Sequence, residues 1–291
     1  MKRSISTLDI VLGAVFIILC FATLYPFIYA LSYSVSDTVL AAQKSIIFLP
    51  RGFTLLNYKI IFSDNRIMYG AIISVAKTFS GTVLFLVVTG LCAYTMSRPK
   101  LRGKKLIFIF FVIPMYVNGG LLPYYILIHD LGLFNNFLVY IIPTCFSGFY
   151  MFLIKVFMET IPESLEESAK LDGANDWKVA TQIILPLSKP VFATVALFVG
   201  VNQWNAWFDS LLFITKDNLK PLQLILQIIL RETQIDNIIQ VYAMSQGMKT
   251  KINAESFKMA VLIITTIPIV FIYPFAQKYF IKGLTIGAVK L

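Results

Sequence analysis

This sequence predicts an all-α integral membrane protein, and three observations carry that prediction. Of its 291 residues, 58% are apolar and only 14% are charged, and the mean hydropathy is +0.78. The apolar residues gather in runs, and about 20 residues of helix suffice to cross a hydrocarbon core of about 30 Å. Between two of these runs stands an acid-rich island, Thr160 to Pro190, TIPESLEESAKLDGANDWKVATQIILPLSKP. Lipid offers the backbone no hydrogen-bond partner, so each run is read as a helix that satisfies itself. Six spans follow, at about 9–31, 68–96, 106–126, 136–158, 191–214 and 257–280, in one transmembrane domain of residues 1–291.

The first run, from about Asp9 to Leu31, is too long for the apolar core of a signal peptide and lacks a small-residue exit, so it is read as a retained span. Residues 35–67, with Pro50, Gly52 and Asn57, read as a loop carrying a short interfacial helix. Lys77 falls within the second span, where a bare charge is costly. It reads as a lysine near the outer end, snorkelling or facing an aqueous cavity, rather than as a substrate contact. The cluster Arg98, Lys100, Arg102, Lys104 and Lys105 follows, and a basic short loop is expected in the cytoplasm. Pro114, Asn118-Gly119-Gly120 and Pro123 interrupt the third span. Such breakers are tolerated at membrane depth only where protein or water satisfies the backbone, which makes Asn118 a candidate pathway residue.

Residues 127–135 read as a short outer turn, and Pro143 as a kink in the fourth span. The fifth span carries Asn202-Gln203-Trp204-Asn205-Ala206-Trp207. Amides can hydrogen-bond a sugar and indoles can stack on one, so Asn202, Trp204 and Asn205 are candidates for the substrate pathway. Trp204 and Trp207 read equally well as packing or interfacial aromatics. Residues 215–256 form a polar, partly helical outer segment.

The island itself reads as two short helices with a break. Thr160 and Glu163 have capping-box spacing, and Pro162 would sit in the first turn. Gly173 is where a helix would end in the left-handed conformation. Asn175 or Asp176 can cap the second helix, which would carry Trp177, Ala180, Thr181 and Ile184 on one face before Pro186 and Pro190 stop it.

Glu167-Ser168-Ala169, then Gly173, then Ile183-Ile184-Leu185-Pro186 resembles the E-A-A-x3-G-x9-I-x-L-P signature of permease subunits of binding-protein-dependent ABC importers. Every fixed position matches in spacing, and Ser168 replaces the middle alanine. Asp172-Gly173-Ala174, the basic loop, the Trp-Asn pair and the tail Gly283-Leu284-Thr285 are similar to the carbohydrate-uptake branch, in particular the maltose-type small permease and the complex-oligosaccharide permeases. The resemblance implies an ABC importer type I permease fold, with 160–190 as a coupling helix-turn-helix that docks on an ATPase. It implies that Glu167, Ser168, Ala169, Asp172, Gly173, Ala174, Ile183, Leu185 and Pro186 serve this coupling. It also implies a second, non-identical permease, a pair of ATPase subunits, an extracellular solute-binding protein and a carbohydrate substrate, in a bacterial cell membrane with both termini cytoplasmic. The tail would reach between the ATPase subunits.

Other function classes find little support. The net charge of +10 is explained by cytoplasmic Lys and Arg without any nucleic acid. No G-x-x-x-x-G-K-[ST] occurs, so ATP is expected on a partner and no cofactor on this chain. His129 is the only histidine, and Cys20, Cys92 and Cys145 lie in apolar runs, so neither a metal site nor a catalytic set is expected. The spans are poor in the carboxylates that ion-coupled carriers use. A secondary carrier or channel for small polar solutes is the alternative reading, and transport without an ATPase would mark it.

Overall fold

The computed structural model describes residues 6–37, 40–41, 48–99, 101–231 and 254–288, with side chains through Tyr273 and Pro274. The described residues are almost wholly helical and hold no β-strand, only an isolated bridge between Ser36 and Phe53. The helices are α1 (Thr7–Ser34), α2 (Leu56–Ser63), α3 (Asn65–Ser97), α4 (Lys104–Tyr116), α5 (Leu121–Asp130), α6 (Gly148–Met158), α7 (Glu163–Leu171), α8 (Asp176–Leu187), α9 (Lys189–Asn205), α10 (Phe208–Phe213), α11 (Leu222–Arg231) and α12 (Ala254–Ala288). Among them α1, α3 and the Ala254–Pro274 part of α12 are long and apolar enough to cross a membrane singly. Two further candidate spans are bent pairs, α4 with α5 at 114° and α8 with α9 at 74°. The chain divides into two compact units, Met1–Met68 with Ile225–Pro268, and Tyr69–Leu224 with Ile269–Leu291.

In the first unit, Ser6 and Asp9 form a capping box that starts α1. The apolar stretch of α1 has none of its residues buried, the surface expected of a lipid-facing or partner-facing span. Its far end is held by a knot of serines. Ser32 Oγ donates to the Phe48 carbonyl at 2.7 Å, Ser36 Oγ to the Ser32 carbonyl at 2.6 Å, and Ser34 Oγ pairs with Tyr58 Oη at 2.8 Å. Asn57 Nδ2 donates to the Ser34 carbonyl at 2.9 Å. The short helix expected in 35–67 is α2, which buries Asn57, Ile60 and Ile61. In α12, Phe257, Ala260 and Val261 are buried. Residues 232–253 of the expected outer segment, and 289–291 of the tail, lie outside the described residues. The backbone is helical through Ala288, so the 282–288 part of the tail continues α12.

The second unit holds two apolar cores. One gathers Phe85, Met96, Met151, Ile154, Val179 and Val195, and so joins α3, α6, α8 and α9. The other gathers Ile128, Val139, Tyr140, Phe213 and Ile214. Three of the expected spans are not continuous helices, the third as its breakers predict. The third turns sharply between α4 and α5, where Gly120 takes φ 85° and Asn118 Oδ1 accepts its N–H at 2.9 Å. Pro123 does not contribute to this break, because it lies in the first turn of α5, where no N–H is required.

The fourth span is a 3-10 turn, Phe137–Tyr140, an unwound stretch, and then α6. Pro143 therefore kinks no helix; it lies in the unwound stretch. The carbonyl of Tyr140 freed there accepts from Thr144 Oγ1 at 2.9 Å and from Gln203 Nε2 at 3.2 Å, and Gln203 also donates to Thr144 Oγ1 at 2.7 Å. A buried side chain thus supplies the partners that lipid cannot.

The fifth span is α9 and α10, broken at Ala206–Trp207. Lys77 neither snorkels nor meets water: it is fully buried, and its Nζ donates to the Ala206 carbonyl at that break.

Candidate functional site

Two places in the second unit bring the sequence candidates together, the 160–190 segment and the end of α9. The 160–190 segment is the helix–glycine–helix expected of it, but its start and its buried face differ from expectation. Thr160 does not cap α7: its Oγ1 donates back to the Phe157 carbonyl at 2.7 Å, and Pro162 holds the N-cap position. The proline takes this role because φ near −60° and an extended ψ are what the entry to a helix requires. Glu163 and Glu166 fill the first turn and Lys170 the last, matching the helix dipole.

The end of α7 is a Schellman motif. Gly173 takes φ 82°, its N–H donates to the Lys170 carbonyl at 3.1 Å, and the Ala174 N–H donates to the Ala169 carbonyl at 2.9 Å. Asn175 Oδ1 then accepts the Lys178 N–H at 2.9 Å and starts α8.

Helix α8 is α-helical over Asp176–Val179, π-helical over Ala180–Ile184 and α-helical again over Leu185–Leu187. The π turn widens the repeat, so the buried residues are Val179, Ala180 and Ile184. Trp177, placed on that face by a 3.6-residue period, is instead 66% exposed. Pro186 sits inside the last turn of α8 and Pro190 in the first turn of α9, on either side of the 74° bend.

The motif residues divide by face. Ala169, Ala174, Ile183 and Leu185 pack on the α3–α6–α8–α9 core. Glu167, Ser168, Asp172, Gly173 and Pro186 are exposed. With them, Leu171 at 89% and Trp177 at 66% exposure leave large apolar side chains open on a polar element.

Glu166, which the motif does not include, is the hub of the segment. It pairs with the Arg98 guanidinium and, at 2.9 Å, with Lys170 Nζ, which also reaches Asp176 at 3.1 Å. Arg98 lies 4.6 Å over the Tyr94 ring, and Tyr94 Oη donates to the Asp176 carbonyl at 3.2 Å. A second tie joins Lys104 to Glu159 at 3.3 Å, and Lys155 joins the same carboxylate at 2.7 Å. Burial pushes the Glu159 carboxyl up, but hydrogen bonds from Lys155 and Lys104 outweigh it and hold the group below the usual carboxylate range. Hydrogen bonds to Glu166 and Asp176 raise the Lys170 ammonium above its ordinary value. Two of the clustered cations therefore staple the 97–104 loop to the 159–176 segment around a cleft of about 630 Å³, lined in part by Glu163 and Glu167. No local signal announces these pairs, because Arg98 and Glu166 are 68 residues apart.

At the end of α9, Asn202 and Asn205 are exposed, and Asn205 Oδ1 accepts from Gln223 Nε2 at 2.8 Å. Trp204 is 7% exposed and belongs to the packing. Asn118 is exposed at the α4–α5 break, with its side chain engaged in the turn. Gln203 and Asp209 are polar groups of this region that the candidate list did not contain. Asp209, on α10, lies within electrostatic reach of Tyr124 and Lys77.

The profile of a family described as the inner membrane component of binding-protein-dependent transport systems matches residues 86–286. The polygalacturonan/rhamnogalacturonan transport system permease protein YtcP of Bacillus subtilis is 34% identical over 274 residues, covering 91% of this chain and 92% of its own. Protein LplC of the same organism is 36% identical, covering 92% and 90%. The trehalose/maltose transport system permease protein MalG of Thermococcus litoralis is 28% identical, covering 97% and 96%. A crystal structure of a bacterial ABC transporter involved in the import of the acidic polysaccharide alginate contains a chain that superposes with a TM-score of 0.88 at 27% identity. That match covers 96% of this chain and 99% of the other.

Proposed function

We propose that this chain, which belongs to the inner membrane component family of binding-protein-dependent transport systems, forms half of the translocation path for an oligosaccharide. It is a multi-pass membrane permease of an ABC importer, working with an ATPase and a solute-binding protein. A second, non-identical permease completes the path, and both termini face the cytoplasm. The chain is non-catalytic and carries no cofactor; ATP binds to the partner ATPase. The observation that carries the reading is the 160–190 segment, whose apolar motif residues lock into the core while Glu167, Leu171 and Trp177 stand exposed for a partner. A carboxylate entering a protein groove makes charge-assisted hydrogen bonds, which gives Glu167 its role. An oligosaccharide cargo is supported by relatives named for polygalacturonan/rhamnogalacturonan and for trehalose/maltose, and by a neighbour that imports alginate.

The experiment is reconstitution of the complete importer in vesicles, with oligogalacturonates and maltose as cargo. Uptake should require ATP and the ATPase, and Glu167→Lys should uncouple hydrolysis from uptake more than Glu163→Lys does. Uptake that persists without the ATPase would instead mark a secondary carrier or channel.

A further inference from the structure

The break in the fifth span has no cause in its own sequence. Asn205-Ala206-Trp207 contains neither glycine nor proline, and kinks in apolar helices otherwise need such a residue or an inserted group. Yet α9 ends with Ala206 in an extended conformation, φ −67° and ψ 118°, and α10 begins only at Phe208. The inserted group comes from α3. Lys77 is 0% exposed, its Nζ donates to the Ala206 carbonyl, and the same nitrogen lies 5.3 Å from the centre of the Tyr140 ring. A cation at the C-terminal end of a helix meets the negative end of the dipole and the carbonyls left without partners. Its contact with Ala206 is charge-assisted, the stronger kind of hydrogen bond. The Asp209 carboxylate of α10 lies within electrostatic reach of Lys77.

We propose that Lys77 is a positioning residue: its buried ammonium captures the Ala206 carbonyl, fixes where span five breaks, and thereby sets how Asn202 and Asn205 are presented. Lys77 is not a sugar ligand, because no part of it is accessible. The functional half of the statement rests on the reading of Asn202 and Asn205 as pathway residues; the structural half does not.

Hydrogen exchange on the assembled importer tests it without any sugar. The amides of 207–210 form the first turn of α10 and have no partner within that helix. In Lys77→Met the span should close toward a continuous helix, and exchange of these amides should slow by about tenfold or more, as newly formed helical bonds protect them. Unchanged exchange at 207–210 would overturn the proposal. A double variant, Lys77→Met with Asp209→Asn, separates capture of the carbonyl from simple charge balance. The slowed exchange should persist in it; a return to the wild-type rate would mean that Lys77 only neutralises Asp209, and would also overturn the proposal. Should Lys77→Met fail to assemble, Lys77→Gln retains a donor and should keep fast exchange, whereas slowed exchange in that variant with the donor present would count against capture. Normal uptake by Asn202→Ala and Asn205→Ala would refute their pathway role and leave the origin of the break standing.

Discussion

The 160–190 segment and the broken spans of the same unit are both interrupted helices, yet their interruptions are specified in different ways. Between α7 and α8 the turn is closed within a few residues: Gly173 supplies the left-handed conformation, Ala169 and Lys170 the carbonyls, Asn175 the next cap. In spans four and five, partners also come from far along the chain. Gln203 serves the Tyr140 carbonyl 63 residues away, and Lys77 serves Ala206 across 129 residues. The contrast follows from solvent. At a polar surface water completes whatever the local motif leaves open, whereas in a membrane each open carbonyl needs a side chain brought to it.

The largest effect should come from breaking a membrane-side partner. Gln203→Leu leaves the Tyr140 carbonyl and Thr144 without their amide donor. Thr144 Oγ1 still donates to that carbonyl, so the loss is two hydrogen bonds of about 0.5–1.5 kcal/mol each, and the thermal midpoint of the purified complex should fall. An unchanged midpoint would show that these groups find other partners and would weaken the contrast. Next comes the local break itself. Gly173→Val meets no steric neighbour, since no atom lies within 4 Å of its would-be Cβ, so only the strain at φ 82° acts. That strain is about 1–2 kcal/mol and local to the α7–α8 turn. ATPase co-purification should drop while membrane insertion holds, and Gly173→Asn should lose much less because asparagine tolerates this conformation.

Smaller again is the tie between the two halves of the coupling end. A double-mutant cycle on Arg98→Ala and Glu166→Ala should return a coupling of about 1 kcal/mol, more than a fully exposed pair gives. A coupling near zero would reduce the staple to two independent side chains. The smallest effect is the pH response of Glu159. Its folded carboxyl lies below the ordinary 4.5, so the stability it contributes is present above that value and is lost as pH falls through the folded one. With the side chain 36% exposed, the loss should stay under about 1 kcal/mol, and Glu159→Gln should remove that part of the acid dependence. An acid transition identical in Glu159→Gln would assign the sensitivity to other carboxylates.

The sequence by itself determined the class of the protein, the positions of its long apolar helices and the glycine turn of the coupling segment. Each depends on properties that neighbouring residues carry: a run of apolar side chains for α1, α3 and α12, the missing β-carbon of Gly173, the short amide of Asn175. The resemblance of 167–186 was legible for the same reason, since its spacing lies within one segment. Tertiary structure alone decided where spans four and five unwind, which acid of α7 is paired, and which face of α8 is buried. Pro143 could be read as a kink, but not the unwound stretch around it, where Gln203 meets the Tyr140 carbonyl from 63 residues away. Trp177 was placed inside by a 3.6-residue period that the π turn at Ala180–Ile184 does not follow. Lys77 looked like a charge in search of water, because the carbonyl that accepts its proton belongs to a helix 129 residues away. A local pattern cannot contain a partner that only folding brings near, and in a membrane that partner decides where a helix is permitted to break.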